Sequence, residues 1–144
     1  MKKLPVGISS FSKLIENDYI YIDKTKYLYD MINSGELYFL SRPRRFGKSL
    51  IVSTLGEIFK GNKDLFEGLY IHNKWNFDEK YPVIHLDFND IRHTTPEKLE
   101  NTLNDFANSE AREHDIKLYN SDLTNRFSEL IKGINKKYKR KVAL

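Results

Sequence analysis

Ser41-Arg42-Pro43-Arg44-Arg45-Phe46-Gly47-Lys48-Ser49 lies between two apolar runs, Leu37-Tyr38-Phe39-Leu40 before it and Leu50-Ile51-Val52 after it. An apolar run, a basic turn and a second apolar run read as a strand-to-helix junction. A Gly-Lys-Ser triplet at such a junction gathers backbone N–H groups, an ammonium and a hydroxyl around one point, which is what phosphate groups and Mg²⁺ require. The usual spacing, G-x-x-x-x-G-K-[ST], also asks for a glycine at the start of the loop, and Arg42 stands there. With Pro43 stiffening the same turn, the loop must enter by a different backbone path.

If the triplet works as its chemistry suggests, the amides of Arg45 to Ser49 point at a nucleotide β-phosphate and the following helix aims its positive end there. Lys48 then stabilises the β- and γ-phosphates and Ser49 ligates Mg²⁺. The candidate cofactor-binding set is Arg44, Arg45, Phe46, Gly47, Lys48, Ser49 and Leu50. Arg44 and Arg45 either add charge at the phosphates or face a nucleic acid, and the residues alone leave both open. Asp87, at the end of the apolar run Val83-Ile84-His85-Leu86, is a second metal-side candidate. Phe88 follows it where a catalytic glutamate usually stands, so Asp87 also reads as an ordinary strand-end residue. His72, His85, His93 and His114 share no metal-ligand spacing.

Outward from the loop, Glu36 to Ser41 is expected as a core strand, apolar on both faces as a covered parallel strand would be. A helix is expected from about Gly47 to Lys60, with Ile51, Leu55, Ile58 and Phe59 on one stripe and Gly61 past its end. Upstream, Ser9 or Ser10 can cap a short helix bearing Phe11, Leu14 and Ile15, and Tyr19-Ile20-Tyr21-Ile22 has strand character. Asp23-Lys24-Thr25 forms a turn and cap before a helix carrying Tyr27, Leu28, Met31 and Ile32. Gly61 to Trp75 has no clean period, and Leu65, Phe66, Leu69, Tyr70 and Trp75 are expected as satellites of the core.

Downstream, Pro82 to Phe88 reads as a second buried strand. Thr94-Thr95-Pro96-Glu97 is a helix start, a capping box with early proline, followed by Leu99, Leu103, Phe106 and Ala107 on one face. Another helix starts near Ser121-Asp122 and carries Leu123, Phe127, Leu130, Ile131, Ile134 and Tyr138. Val142-Ala143-Leu144 opens one more apolar run. Strands alternating with helices predict parallel pairing, and the chain looks like the front of an α/β nucleotide-binding domain with an unfinished sheet.

The 144 residues suffice for one domain with a real core. With 40% hydrophobic and 31% charged residues, the composition is that of a globular chain, and no stretch has the length of a membrane span. Met1-Lys2-Lys3-Leu4-Pro5 lacks an apolar signal region, so the cytoplasm is the expected compartment. Zero cysteines exclude disulfides, thiolate metal sites and a cysteine nucleophile. The net charge of +4 is unevenly placed, with Arg42, Arg44 and Arg45 at the loop and Lys136, Lys137, Lys139, Arg140 and Lys141 near the end. Polyanions suit such clusters, while the C-terminal one also reads as a solvated helix end.

Leu4-Pro5-Val6-Gly7-Ile8-Ser9-Ser10-Phe11, Tyr21-Ile22-Asp23-Lys24-Thr25, Phe39 through Leu50, Leu65-Phe66-Glu67-Gly68-Leu69 and Tyr81-Pro82-Val83-Ile84 together resemble the predicted AAA-ATPase-like family of bacteria and archaea. The Arg-Pro-Arg-Arg-Phe-Gly-Lys-Ser string carries most of that specificity, and the resemblance makes Arg42 the family's own form of the loop. It implies a P-loop NTPase fold of three-layer α/β/α architecture with a mainly parallel sheet, incomplete here at its C-terminal side. It further implies ATP and Mg²⁺ as cofactors, with residues 1–35 an N-terminal segment and 36–144 the start of the α/β core.

Longer members of the family carry a nuclease-superfamily domain. Their acidic strand reads as an apolar run followed by Asp-Glu-Tyr-Asp, and Lys141-Val142-Ala143-Leu144 resembles its beginning. On this resemblance the chain is a truncated ATPase domain that binds nucleotide weakly and hydrolyses it negligibly. The competing expectation is a non-enzymatic module that grips nucleic acid through the basic loop and the C-terminal lysines.

Overall fold

The computed structural model describes residues 2–88 and 95–144. Helices take up 52% of these and isolated bridges 3%. The chain divides into two compact units, Met1–Lys80 and Tyr81–Leu144.

In the first unit, α1 (Phe11–Glu16) begins at Ser10, whose hydroxyl accepts from the Lys13 N–H at 3.4 Å. Phe11 and Leu14, one helical turn apart, are its buried face. The Phe11 N–H donates to Ser53 Oγ at 2.9 Å, fastening α1 to α3 (Lys48–Lys60). Helix α2 (Thr25–Ser34) buries Thr25 and Leu28. Helix α3 ends at Gly61, left-handed at φ 78°, as the sequence anticipates.

Two short 3-10 helices follow, Lys63–Phe66 and Tyr70–Asn73. They are central rather than peripheral. Phe66 and Ile71 are completely buried, and Phe66 stacks on Phe11 at 4.8 Å and meets Phe77 at 5.2 Å. The segment lacks a period because its apolar residues come from short turns, each contributing one or two side chains to a core built by α1, α2 and α3.

Asp23 joins these pieces. Its Oδ1 accepts from the Thr25 N–H at 2.8 Å and the Thr25 hydroxyl at 2.7 Å, while Oδ2 accepts from the Tyr70 N–H at 2.7 Å. Thr25 Oγ1 accepts in turn from the Ile71 N–H at 3.2 Å. Partial burial works to raise the Asp23 pKa, but the bonds from Thr25 and Tyr70 outweigh it and hold the carboxyl below its usual range. The turn expected at Asp23-Lys24-Thr25 therefore also caps a 3-10 helix more than forty residues away.

In the second unit, α4 (Pro96–Glu113) is capped by Thr95, which accepts from the Lys98 N–H at 3.3 Å, with Pro96 in the first turn. The cap thus sits one residue later than a Thr94–Glu97 box would place it, and Thr94 lies outside the described residues. Helix α5 (Leu123–Tyr138) starts at Asp122, which accepts from the Asn125 N–H at 3.0 Å. Ile84, Ala111, Leu130 and Ile134 form the unit's buried core, with Phe106, Ile131 and Val142 against it. Two of the C-terminal lysines belong to a helix end. Lys136 and Lys137 occupy the last turn of α5, and Lys137 Nζ donates to His114 O at 2.9 Å and Asp115 Oδ2 at 3.2 Å.

The three-layer α/β/α architecture with a mainly parallel sheet is not found. Among the described residues β pairing is limited to two isolated parallel bridges, Lys3 with Tyr19 and Val83 with Ala143. Glu36 to Ser41, expected as a core strand, forms no bridge among the described residues, and Leu37 and Phe39 are 95% and 94% exposed. Pro82 to Phe88 gives only the Val83 bridge, closed by Ile84 N–H to Ala143 O at 2.8 Å and Ala143 N–H to Pro82 O at 2.9 Å. A helix satisfies its backbone within its own segment, whereas a strand needs a neighbour from elsewhere in the chain. Apolar character marks a segment suited to a sheet and cannot by itself supply that neighbour.

Candidate functional site

The loop from Ser41 to Gly47 leads straight into α3, whose core-facing side anchors it. Leu50, Ile51 and Leu55 pack on the first unit's core, Thr54 and Ile58 are buried, and Thr54 Oγ1 donates to Leu50 O at 2.7 Å. The helix begins at Gly47, left-handed at φ 74°, with Ile51 N–H to Gly47 O at 3.0 Å as its first backbone bond. A Cβ at Gly47 would meet nothing within 4 Å, so it is the left-handed backbone rather than crowding that calls for glycine. No side chain caps the α3 N-terminus, which leaves its first N–H groups facing outward. Two residues earlier Arg45 is also left-handed, at φ 67°, a conformation that costs an L-residue about 1–2 kcal/mol.

Lys48 curls back over the loop. Its Nζ donates to Arg42 O at 2.7 Å and Pro43 O at 2.9 Å, so the ammonium bridges the entry of the loop to the start of the helix. This gives a physical account of Arg42. What the loop takes from positions 42 and 43 is a carbonyl oxygen, which arginine and proline both retain, while proline gives up only its N–H.

Ser49 is exposed, and its hydroxyl has no partner among the described residues. Phe46 is exposed, and the guanidinium groups of Arg42, Arg44 and Arg45 reach solvent without a carboxylate partner among those residues. The structure thus gathers Arg42 to Ser49 into one compact turn with the Lys48 ammonium across it. Asp87 belongs to the second unit, exposed beyond the Val83 bridge. Among the described residues, no group of three or more His, Asp or Glu is gathered for a metal ion.

Two features of the loop escape sequence reasoning. The carbonyl partners of Lys48 depend on the backbone path, which no residue type announces. The left-handed turn at Arg45 is equally silent, because its usual markers are glycine and asparagine.

Residues 5–144 match the family model described as "Predicted AAA-ATPase". The chain belongs to this predicted AAA-ATPase family. An uncharacterized protein from the vnfD 5′ region of Azotobacter chroococcum mcd 1 is 51% identical over 88 residues, covering 60% of the present chain and 17% of that relative. The chain therefore spans well under two thirds of that relative's length. No solved structure matches it. No helix among the described residues is long and apolar enough to cross a membrane.

Proposed function

We propose that this chain carries the nucleotide-binding loop of an ATPase, with Arg44 to Leu50 surrounding the phosphates of ATP. The observation that carries the reading is the Lys48 ammonium, held over the loop by two carbonyls at the uncapped start of α3. Both of those bonds are exposed, where phosphate oxygens could take the place of the carbonyls, and the uncapped N–H groups would supply further donors.

The donor set fits ATP with Mg²⁺. Lys48 would take the β- and γ-phosphates, the amides from Arg45 to Ser49 would cradle the β-phosphate, and the unpartnered Ser49 hydroxyl would ligate the ion. Mg²⁺, when bound, neutralises charge on the phosphate oxygens. Asp87 has no assigned part in this reading.

Titration of the full chain with a fluorescent ATP analogue, with and without Mg²⁺, tests it. Lys48→Ala is expected to abolish binding while leaving far-UV circular dichroism unchanged, since both lost hydrogen bonds lie at the surface. Ser49→Ala is expected to remove the Mg²⁺ dependence. Binding that persists in Lys48→Ala would refute the assignment.

A further inference from the structure

The second unit holds a groove unrelated to the loop. It has a volume of about 400 Å³, is open to solvent, and is lined by Lys117, Asn120, Asn125, Ser128, Lys132 and Lys136 among others. Asn125, Ser128, Lys132 and Lys136 recur at spacings of three and four, which sets them in a stripe along α5, away from buried Leu130 and Ile134. The connection after α4 forms the opposite wall. It approaches closely because residue 133 is glycine, where a Cβ would stand 2.7 Å from Ile116 Cγ2.

Positive charge is in excess, with three ammonium groups to one carboxylate among the lining residues. Lys117, Lys132 and Lys136 are exposed and have no acidic partner among the described residues, whereas neighbouring Lys137 is tied to His114 O and Asp115. Among the described residues the carboxylate lining the groove is Glu129, and its donors belong to the wall. Its Oε2 accepts from the N–H groups of Tyr119 at 3.0 Å and Asn120 at 3.2 Å and from Asn120 Nδ2 at 3.1 Å. It braces the wall, and three free ammonium groups share the rim.

We propose that this groove binds the phosphodiester backbone of a nucleic acid. Lysine, serine and asparagine side chains are the groups that make sequence-independent phosphate contacts. A protein partner would call for a buried aromatic or apolar anchor, and a membrane surface for an apolar helix face, and the groove offers only Ile116. A small nucleotide would call for an enclosed pocket, and this groove is open to solvent along its length. The groove requires neither Lys48 nor the loop.

Fluorescence anisotropy of the full chain with a labelled twenty-nucleotide oligodeoxynucleotide, single-stranded and as a duplex, tests this over a salt series. Lys132→Ala/Lys136→Ala is expected to weaken binding about tenfold at low salt. The same variant should flatten the slope of log affinity against log salt by about 1.4 for a single strand, since two phosphate contacts are lost. Lys132→Arg/Lys136→Arg keeps the charge and is expected to bind like the parent, and circular dichroism should show every variant equally helical. Absence of binding at low salt overturns the proposal. So does binding that survives the double alanine change, that is lost in the arginine variant, or that disappears instead with Arg44→Ala/Arg45→Ala.

Discussion

Replacing Asp23 by alanine removes the single carboxylate that joins the start of α2 to the 3-10 helix at Tyr70–Asn73. Three donors lose their acceptor: the Thr25 N–H, the Thr25 hydroxyl and the Tyr70 N–H. They are not equivalent. Thr25 is completely buried, so its hydroxyl loses its partner where water does not reach, a loss of about 1–3 kcal/mol. Asp23 itself is exposed, so water can replace it at Tyr70, and that bond contributes only about 0.5–1 kcal/mol. The expected destabilisation of Asp23→Ala is therefore about 1.5–4 kcal/mol. Asp23→Asn keeps an acceptor oxygen for Thr25 and should lose about 1 kcal/mol.

The chain has one tryptophan, Trp75, in the first unit, so its emission during urea unfolding reports that unit. The pH dependence follows from the direction of the shift. Because the folded carboxyl is more acidic than the unfolded one, its stabilisation is complete above about pH 3.8 and is lost as pH falls through the lower folded value. The difference between the parent chain and Asp23→Asn should therefore shrink below that pH. A loss under about 0.5 kcal/mol for Asp23→Ala, or equal losses for the alanine and asparagine variants, would refute the clamp.

Phe66→Ala empties the centre of the ring stack between Phe11 and Phe77, and a loss of about 3–5 kcal/mol is expected in the same Trp75 unfolding assay. Gly47→Ala meets no steric obstacle yet must hold a left-handed backbone, so it should destabilise by about 1–2 kcal/mol and weaken ATP-analogue binding, both measurable on one preparation. In the second unit, burial first and the nearby Glu113 charge second raise the Glu110 pKa above its ordinary 4.5. Folded Glu110 holds its proton more tightly than the unfolded chain does, so the unit should gain stability as pH falls through the raised folded value, a gain complete below about 4.5. Glu110→Gln, which mimics the protonated form, should remove that gain in thermal melts followed at 222 nm, a wavelength that reports helix.

How much of this was legible depended on the range over which each element is satisfied. Helices α3, α4 and α5 could be read because their stripes and caps lie within one segment: Gly47 and Gly61 bracket α3, Thr95 and Pro96 open α4, and Asp122 opens α5. The Gly-Lys-Ser triplet was legible for the same reason. The apolar runs at Leu37 to Leu40 and Pro82 to Phe88 have the composition of parallel strands, yet among the described residues of these runs only Val83 has a bridge partner. The segment from Gly61 to Trp75 erred the other way. Its irregular spacing hid Ile71 and gave Phe66 only a satellite's place, although both are wholly buried.

By itself the sequence determined where helices start and stop, which residue types crowd the loop, and the family to which those residues belong, because each depends on near neighbours in the chain. Tertiary structure alone decided that Asp23 would cap a 3-10 helix at Tyr70, that Lys48 would rest on the carbonyls of Arg42 and Pro43, and that Lys117 would share a groove with Lys132 and Lys136. These arrangements depend on the path of the backbone between distant residues, and that path is chosen by the packing of the whole unit.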